Sequence, residues 1–150
     1  MPTKKQKVIL VCDDEEIVIT AFERAFAGQE EFLLDTARTV KDALEKLGQM
    51  QYDVVILDMK IDNAWSGLQI LREIRRLEVR ARSRGQPAAE SLIAIMSGSV
   101  PFDSFMNEAD LLDVFVFIKK PVDFSPDYVR RKLNQIGIGL MPPQSTSSPA

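Results

Sequence analysis

The sequence predicts an α/β domain, an open parallel β-sheet with helices on both faces. Three observations predict it. Short apolar runs alternate with stretches whose apolar residues recur at helical spacing, and the alternation repeats about five times along the chain. The strongest runs, residues 8–12 and 54–57, are continuously apolar, as strands buried on both faces of a parallel sheet should be. The 150 residues, 45% of them apolar, suit one domain with one sizeable core.

Taken in order, Val8-Ile9-Leu10-Val11-Cys12 is a strand ended by acids. Ile17, Ala21 and Ala25, with Phe22 and Phe26 beside them, mark a helix that Gly28 closes. Residues 32–36 are a weaker strand. Thr39 and Asp42 form a capping-box-like pattern ahead of the face made by Val40, Ala43, Leu44 and Leu47, which stops before Gly48. Val54-Val55-Ile56-Leu57 is the next strand, ended by Asp58. After a polar connection, Ser66 and Gln69 form another capping box, and Ile70, Leu71, Ile74, Leu77 and Ala81 continue as a helix stripe. That helix is rich in Arg, from Arg72 to Arg84, but Glu73 and Glu78 interleave, so it reads as a solvated face rather than a nucleic-acid patch. Residues 92–96 are a strand, 102–112 a poorly patterned helix or loop, and 114–118 the last strand. Ser125-Pro126-Asp127 starts a final helix with Val129, Leu133 and Ile136 on one face. The expected organisation is a disordered N-terminus (1–6), a folded domain (7–137) and an uncharged Pro/Ser tail or linker stub (138–150).

Composition narrows the chemistry. Lys plus Arg total 19 against 22 Asp plus Glu, a formal charge of 19 − 22 = −3, which argues against duplex binding through phosphates. The absence of His removes imidazole bases, His-ligated metals and a phosphohistidine of the chain's own. A single Cys excludes an internal disulfide, and Cys12 inside the first strand reads as a small buried hydrophobe. Any metal must therefore take oxygen ligands, which favours Mg²⁺ over zinc. No export signal or membrane-spanning run is evident, so the expected compartment is the cytoplasm.

In open parallel sheets, ligands gather at the carboxyl ends of the strands. There the sequence places Asp13-Asp14 (followed by Glu15-Glu16), Asp58, Ser97 and Lys119-Lys120-Pro121. Each alone has a plain explanation, such as a helix cap for Asp13 or Asp14. Asp58 is different, because a carboxylate directly after four aliphatic strand residues is poorly hydrated unless a metal or donor compensates it. Together they make a coherent site in which carboxylates are relieved by a hard divalent cation and one can attack phosphorus to form an acyl phosphate.

Asp13-Asp14, Asp58, Ser97 and Lys120-Pro121, in that order and each after a buried strand, resemble the receiver domain of two-component response regulators. The resemblance covers roughly residues 7–136. It implies a flavodoxin-like (βα)5 fold with strand order 2-1-3-4-5. It also implies that Asp58 accepts a phosphoryl group from the phosphohistidine of a sensor histidine kinase or phosphotransfer protein. Mg²⁺ would be held by Asp13, Asp14, Asp58 and the backbone carbonyl of Lys60. Ser97 and Lys120 would contact the phosphoryl group, Ser97 and Phe117 would form the switch, and the Lys120-Pro121 bond would be cis. For Phe117 an ordinary strand aromatic is the equal alternative. The output would reach a downstream effector protein or a C-terminal output domain beyond this chain, with no nucleic-acid or membrane contact by the domain itself.

The sequence departs from the family pattern in three places. The connection from Met59 to Gly67 is longer than usual and lacks the customary Pro, the third helix with its loop is longer, and 102–113 lacks the usual small-residue pattern. Trp65 in the first of these reads either as a partner anchor or as a loop aromatic folded onto the surface. Two other readings compete. One is a receiver-like docking module that does not use phosphate. The other is an enzyme, an aspartyl-phosphate phosphatase, which the cation at Lys60 disfavours because such hydrolases place an acid/base Asp there. The expectation is a switch without a turnover substrate, not an enzyme.

Overall fold

The structure, a computed structural model, describes residues 6–61, 67–86, 91–98, 116–121 and 123–141. Five parallel strands, β1 (Lys7–Cys12), β2 (Phe32–Ala37), β3 (Val54–Asp58), β4 (Leu92–Ser97) and β5 (Val116–Lys119), form one sheet in the order β2-β1-β3-β4-β5. Helices α1 (Glu16–Phe26), α2 (Val40–Gln49), α3 (Gly67–Ser83) and α4 (Pro126–Gln135) complete the described elements. The expected 102–112 element and the Ser66 cap lie outside the described residues.

Continuous apolar strands arise because both sheet faces are covered. Ile9, Val11, Val54, Ile56, Ala94 and Met96 pack under α1 and α4, while their alternates Leu10, Cys12, Val55, Leu57, Ile93 and Ile95 pack under α2 and α3. The period of two thus sorts neighbouring residues into two cores. Each fully buried aliphatic side chain contributes about 1.5–3 kcal/mol.

Local signals set the helix ends. Thr39 Oγ1 accepts from Asp42 N at 3.0 Å, and Ser125 Oγ accepts from Tyr128 N at 3.1 Å, so both expected caps form. Gly28 adopts φ of 76°, a left-handed conformation that ends the α1 segment. α2 does not stop before Gly48 as expected but runs through it to Gln49, and Met50 N bonds Lys46 O at 3.1 Å. β5 continues to Lys119 because its ladder with β4 extends to the Ser97–Lys119 pair.

The C-terminal boundary also differs from expectation. Ile138 and Leu140 are buried in the α1/α4 core, and Leu140 N donates to Asn134 Oδ1 at 2.7 Å. Burial of these two side chains holds the chain against the domain as far as Met141, beyond the expected limit at 137. Residues 1–5 and 142–150 lie outside the described residues.

Strand register sets up the site. Cys12 pairs with Leu57, so Asp13 and Asp58 follow side by side. Asp58 pairs with Met96, and Ser97 with Lys119, so Ser97 and Lys120 lie one step beyond on the neighbouring strands. The strand order reverses between β1 and β3, which puts Asp13 and Asp58 at the topological switch point.

Candidate functional site

Lys120 ties the strand ends together. Its Nζ lies 2.7 Å from Asp13 Oδ2, 3.0 Å from Asp58 Oδ2 and 3.1 Å from Glu15 Oε1. Asp13 and Asp58 are buried, at 0% and 4% exposure, whereas Asp14 and Glu15 face solvent. Asp13 Oδ1 accepts from Glu15 N at 2.9 Å, which orients its carboxylate and stiffens the turn into α1. Lys60 is exposed, and its backbone N–H reaches Asp58 Oδ1 at 3.3 Å. Neither Asp13 nor Asp14 caps α1, since the N-cap is Glu15 and its side chain makes no cap bond.

The electrostatics follow from burial. Desolvation, reinforced by the Asp58 charge, pushes the Asp13 carboxyl up to about 6, against the opposing pull of Lys120. Burial likewise raises Asp58, although Lys120 and the Lys60 N–H oppose it. Burial alone would lower Lys120, but its bonds and charges with Asp13 and Asp58 outweigh that and hold its ammonium above the usual lysine range. Four carboxylates against one ammonium leave 1 − 4 = −3 in the cluster.

One carboxylate oxygen from each of Asp13, Asp14, Glu15 and Asp58 lies within 4.8 Å of the others. Asp13 Oδ2 is buried and receives no well-directed hydrogen bond, even with Lys120 Nζ at 2.7 Å. An all-oxygen donor set with uncompensated negative charge fits a hard divalent cation such as Mg²⁺.

The expected residues are thus partly brought together. Asp13, Asp14, Asp58 and Lys120 converge, and Glu15, read in the sequence only as part of an acidic run, joins them. Its place directly after Asp14 does not by itself separate it from Glu16 in the same acidic run. The backbone places Ser97 at the end of β4 and Phe117 within β5, while their side-chain roles, like Trp65, lie outside what is described. Among the described residues no peptide bond is cis, so Lys120-Pro121 is trans. Trans is the lower-energy isomer of an X–Pro bond, and Lys120 reaches both buried carboxylates without the other. Cys12 is fully buried, and burial pushes its thiol well above the usual range, in keeping with an inert core residue.

Residues 9–126 match the response regulator receiver domain. The chain belongs to that family. No curated protein matches it in sequence. Among solved structures it is similar to the chemotaxis response regulator CheY4 of Vibrio cholerae, with a TM-score of 0.67 and 16% identity over 88% of this chain and 99% of that one. A CheY-like receiver domain protein from Methanospirillum hungatei superposes with a TM-score of 0.64 at 17% identity, covering 88% and 94% of the two chains. The response regulator TrrA of Thermotoga maritima, solved in complex with Mg²⁺ and BeF, gives a TM-score of 0.57 at 24% identity over 87% and 99%. At these identities the structural likeness speaks for the flavodoxin-like fold, and the family match makes this a signalling domain. Among the described residues no helix is long and apolar enough to cross a membrane.

Proposed function

We propose that this receiver domain takes a phosphoryl group onto Asp58 and uses it to switch a protein-interaction surface in the cytoplasm. The observation that carries the reading is the Lys120 ammonium bridging Asp13 and Asp58 inside a cluster of four carboxylates. The donor is the phosphohistidine of a sensor histidine kinase or phosphotransfer protein, which supplies the imidazole this chain lacks. An Asp58 carboxylate oxygen forms the new O–P bond while the donor's P–N bond breaks, its electron pair returning to the imidazole nitrogen. Asp13, Asp14, Asp58 and the Lys60 carbonyl hold Mg²⁺, which when bound supplies positive charge to the phosphoryl oxygens. Lys120 pairs with those oxygens, and the Lys60 N–H keeps the Asp58 carboxylate oriented. Ser97 at the end of β4 binds the acyl phosphate, and its displacement, with Phe117, is read by a downstream effector protein or output domain.

The test is the intact mass after incubation with Mg²⁺ and acetyl phosphate. The expected result is one added phosphoryl group that disappears on chelation of the metal beforehand and in Asp58→Asn. No addition, or addition that persists in Asp58→Asn, would instead make the chain a docking module that does not use phosphate.

A further inference from the structure

The Lys120 ammonium is already engaged in the resting chain, where its Nζ donates to Glu15 Oε1 at 3.1 Å. An ammonium carries three N–H bonds, and three carboxylates lie within 3.1 Å of its Nζ. A phosphoryl group arriving on Asp58 therefore competes with them for the one cation. Asp58 gives up its own carboxylate charge when it becomes the acyl phosphate, and Asp13 is held at a strand end in the interior, where losing a counter-charge leaves a buried anion uncompensated. The Glu15 side chain is 56% exposed, and water can take it back.

The conformation of Glu15 supports the same assignment. It occupies the N-cap of α1 in extended backbone, where a side-chain acceptor ordinarily takes a helix N–H, yet it makes no such bond. Its carboxylate turns instead across the strand ends to Lys120, while its backbone N–H is pinned to Asp13 Oδ1. A local helix contact is forgone for one between residues 105 positions apart.

We propose that Glu15 is a placeholder for the phosphoryl group: it holds a donor of Lys120 in the resting chain and yields it when Asp58 is modified. This rests on the phosphoacceptor reading above. No proton moves in the exchange, since Lys120 stays an ammonium and Glu15 enters water as a carboxylate. Glu15 and the phosphoryl group compete for one cation, so shortening or removing Glu15 tightens the phosphorylated-like state, whereas loss of a structural or metal-holding residue would weaken it.

The test is titration of the full chain with beryllium fluoride in saturating Mg²⁺, followed by calorimetry, for the parent, Glu15→Ala, Glu15→Asp and Glu16→Gln. Glu15→Asp keeps the charge but is one methylene short of Lys120. Glu16, paired with Arg38, controls for loss of a nearby negative charge. The expected result is affinity about two- to five-fold higher in both Glu15 variants, the worth of an exposed ion pair, and unchanged in Glu16→Gln. Tightening in Glu15→Ala but not in Glu15→Asp would overturn the proposal in favour of a general field effect. Unchanged or weaker affinity in both Glu15 variants would overturn it outright, and a parallel Mg²⁺ titration without fluoride would show whether Glu15 is a metal ligand. A parent chain that takes up no beryllium fluoride would overturn the phosphoacceptor reading itself, which separates that failure from this one.

Discussion

Asp13 makes the resting site sensitive to pH. Burial and the charge of Asp58 push its carboxyl up to about 6, against 3.8 for the unperturbed group. Because the folded value is the higher one, protonation favours the folded chain: the extra stability is fully present below pH 3.8 and is lost as pH rises through about 6. Asp58 is shifted in the same direction, chiefly by burial, so it reinforces the trend. Asp13→Asn keeps an Oδ1 acceptor for Glu15 N and removes the charge. In Mg²⁺-free buffer it should stabilise the chain by about 1–3 kcal/mol at pH 7 and flatten the slope between pH 4 and 6. Urea unfolding at pH 4.5 and 7 measures both effects, and a variant less stable than the parent at pH 7 would contradict the argument. Asp13, Asp14, Asp58 and Lys120 were legible in the sequence because each lies at the carboxyl end of a strand, so its position needs only the sheet. Glu15 was not legible as a site residue, since its contact depends on a side chain reaching from α1 across to the end of β5.

The start of α3 is built onto the backbone of the acceptor. A Cβ on Gly67 would lie 2.6 Å from the Asp58 carbonyl oxygen and 3.0 Å from Met59 Cα, and neither backbone atom can turn aside. Gly67 N also donates to Met59 O at 3.2 Å, so the helix end and the segment after Asp58 hold each other in place. Gly67→Ala should therefore cost about 1–3 kcal/mol despite Ala being the better helix former, and should also slow labelling of Asp58 by acetyl phosphate. A denaturation midpoint equal to the parent's would refute this. Further along α3 the sequence stripe was only partly right. Ile70, Leu71 and Ile74 are buried as expected, but the fourth buried position in that direction is Glu78. Glu78 Oε1 accepts from Ser91 N at 2.8 Å, and its carboxylate pairs with Arg75 at 2.9 Å, while Ser91 Oγ donates to Tyr52 O at 2.7 Å. In sequence, Arg75 and Glu78 are indistinguishable from the exposed Glu73–Arg76 pair three residues apart on the same helix. What buries one pair and not the other is the packing of α3 against the entry to β4, which helix periodicity does not encode.

Across the whole chain, alternation and continuous apolar strands were enough for a parallel sheet covered on both faces, but not for its strand order. Periodicity is the same for every permutation of five buried strands; the order β2-β1-β3-β4-β5 was implied by the resemblance of the strand-end residues and is the order observed. The domain limit was harder to see. Residues 136–140 carry no charge and run into Pro and Ser, a composition that reads as tail, although Ile136, Ile138 and Leu140 alternate with Gly137 and Gly139 in a strand-like period. That period is real in the fold. Ile138 and Leu140 are 6% and 4% exposed, Ile138 N bonds Leu133 O at 2.9 Å, and Met141 exchanges two 2.9 Å bonds with the Gln29 side chain, closing the α1 and α4 side of the core. A chain ended at Gly137 loses both apolar side chains and leaves Asn134 without its two bonds to Leu140. It should be less stable than a chain ended at Met141 by about 3 kcal/mol, a lower midpoint at unchanged fold content. Paired urea titrations of the two truncations read this directly, and equal midpoints would show that the segment lies on the core without stabilising it.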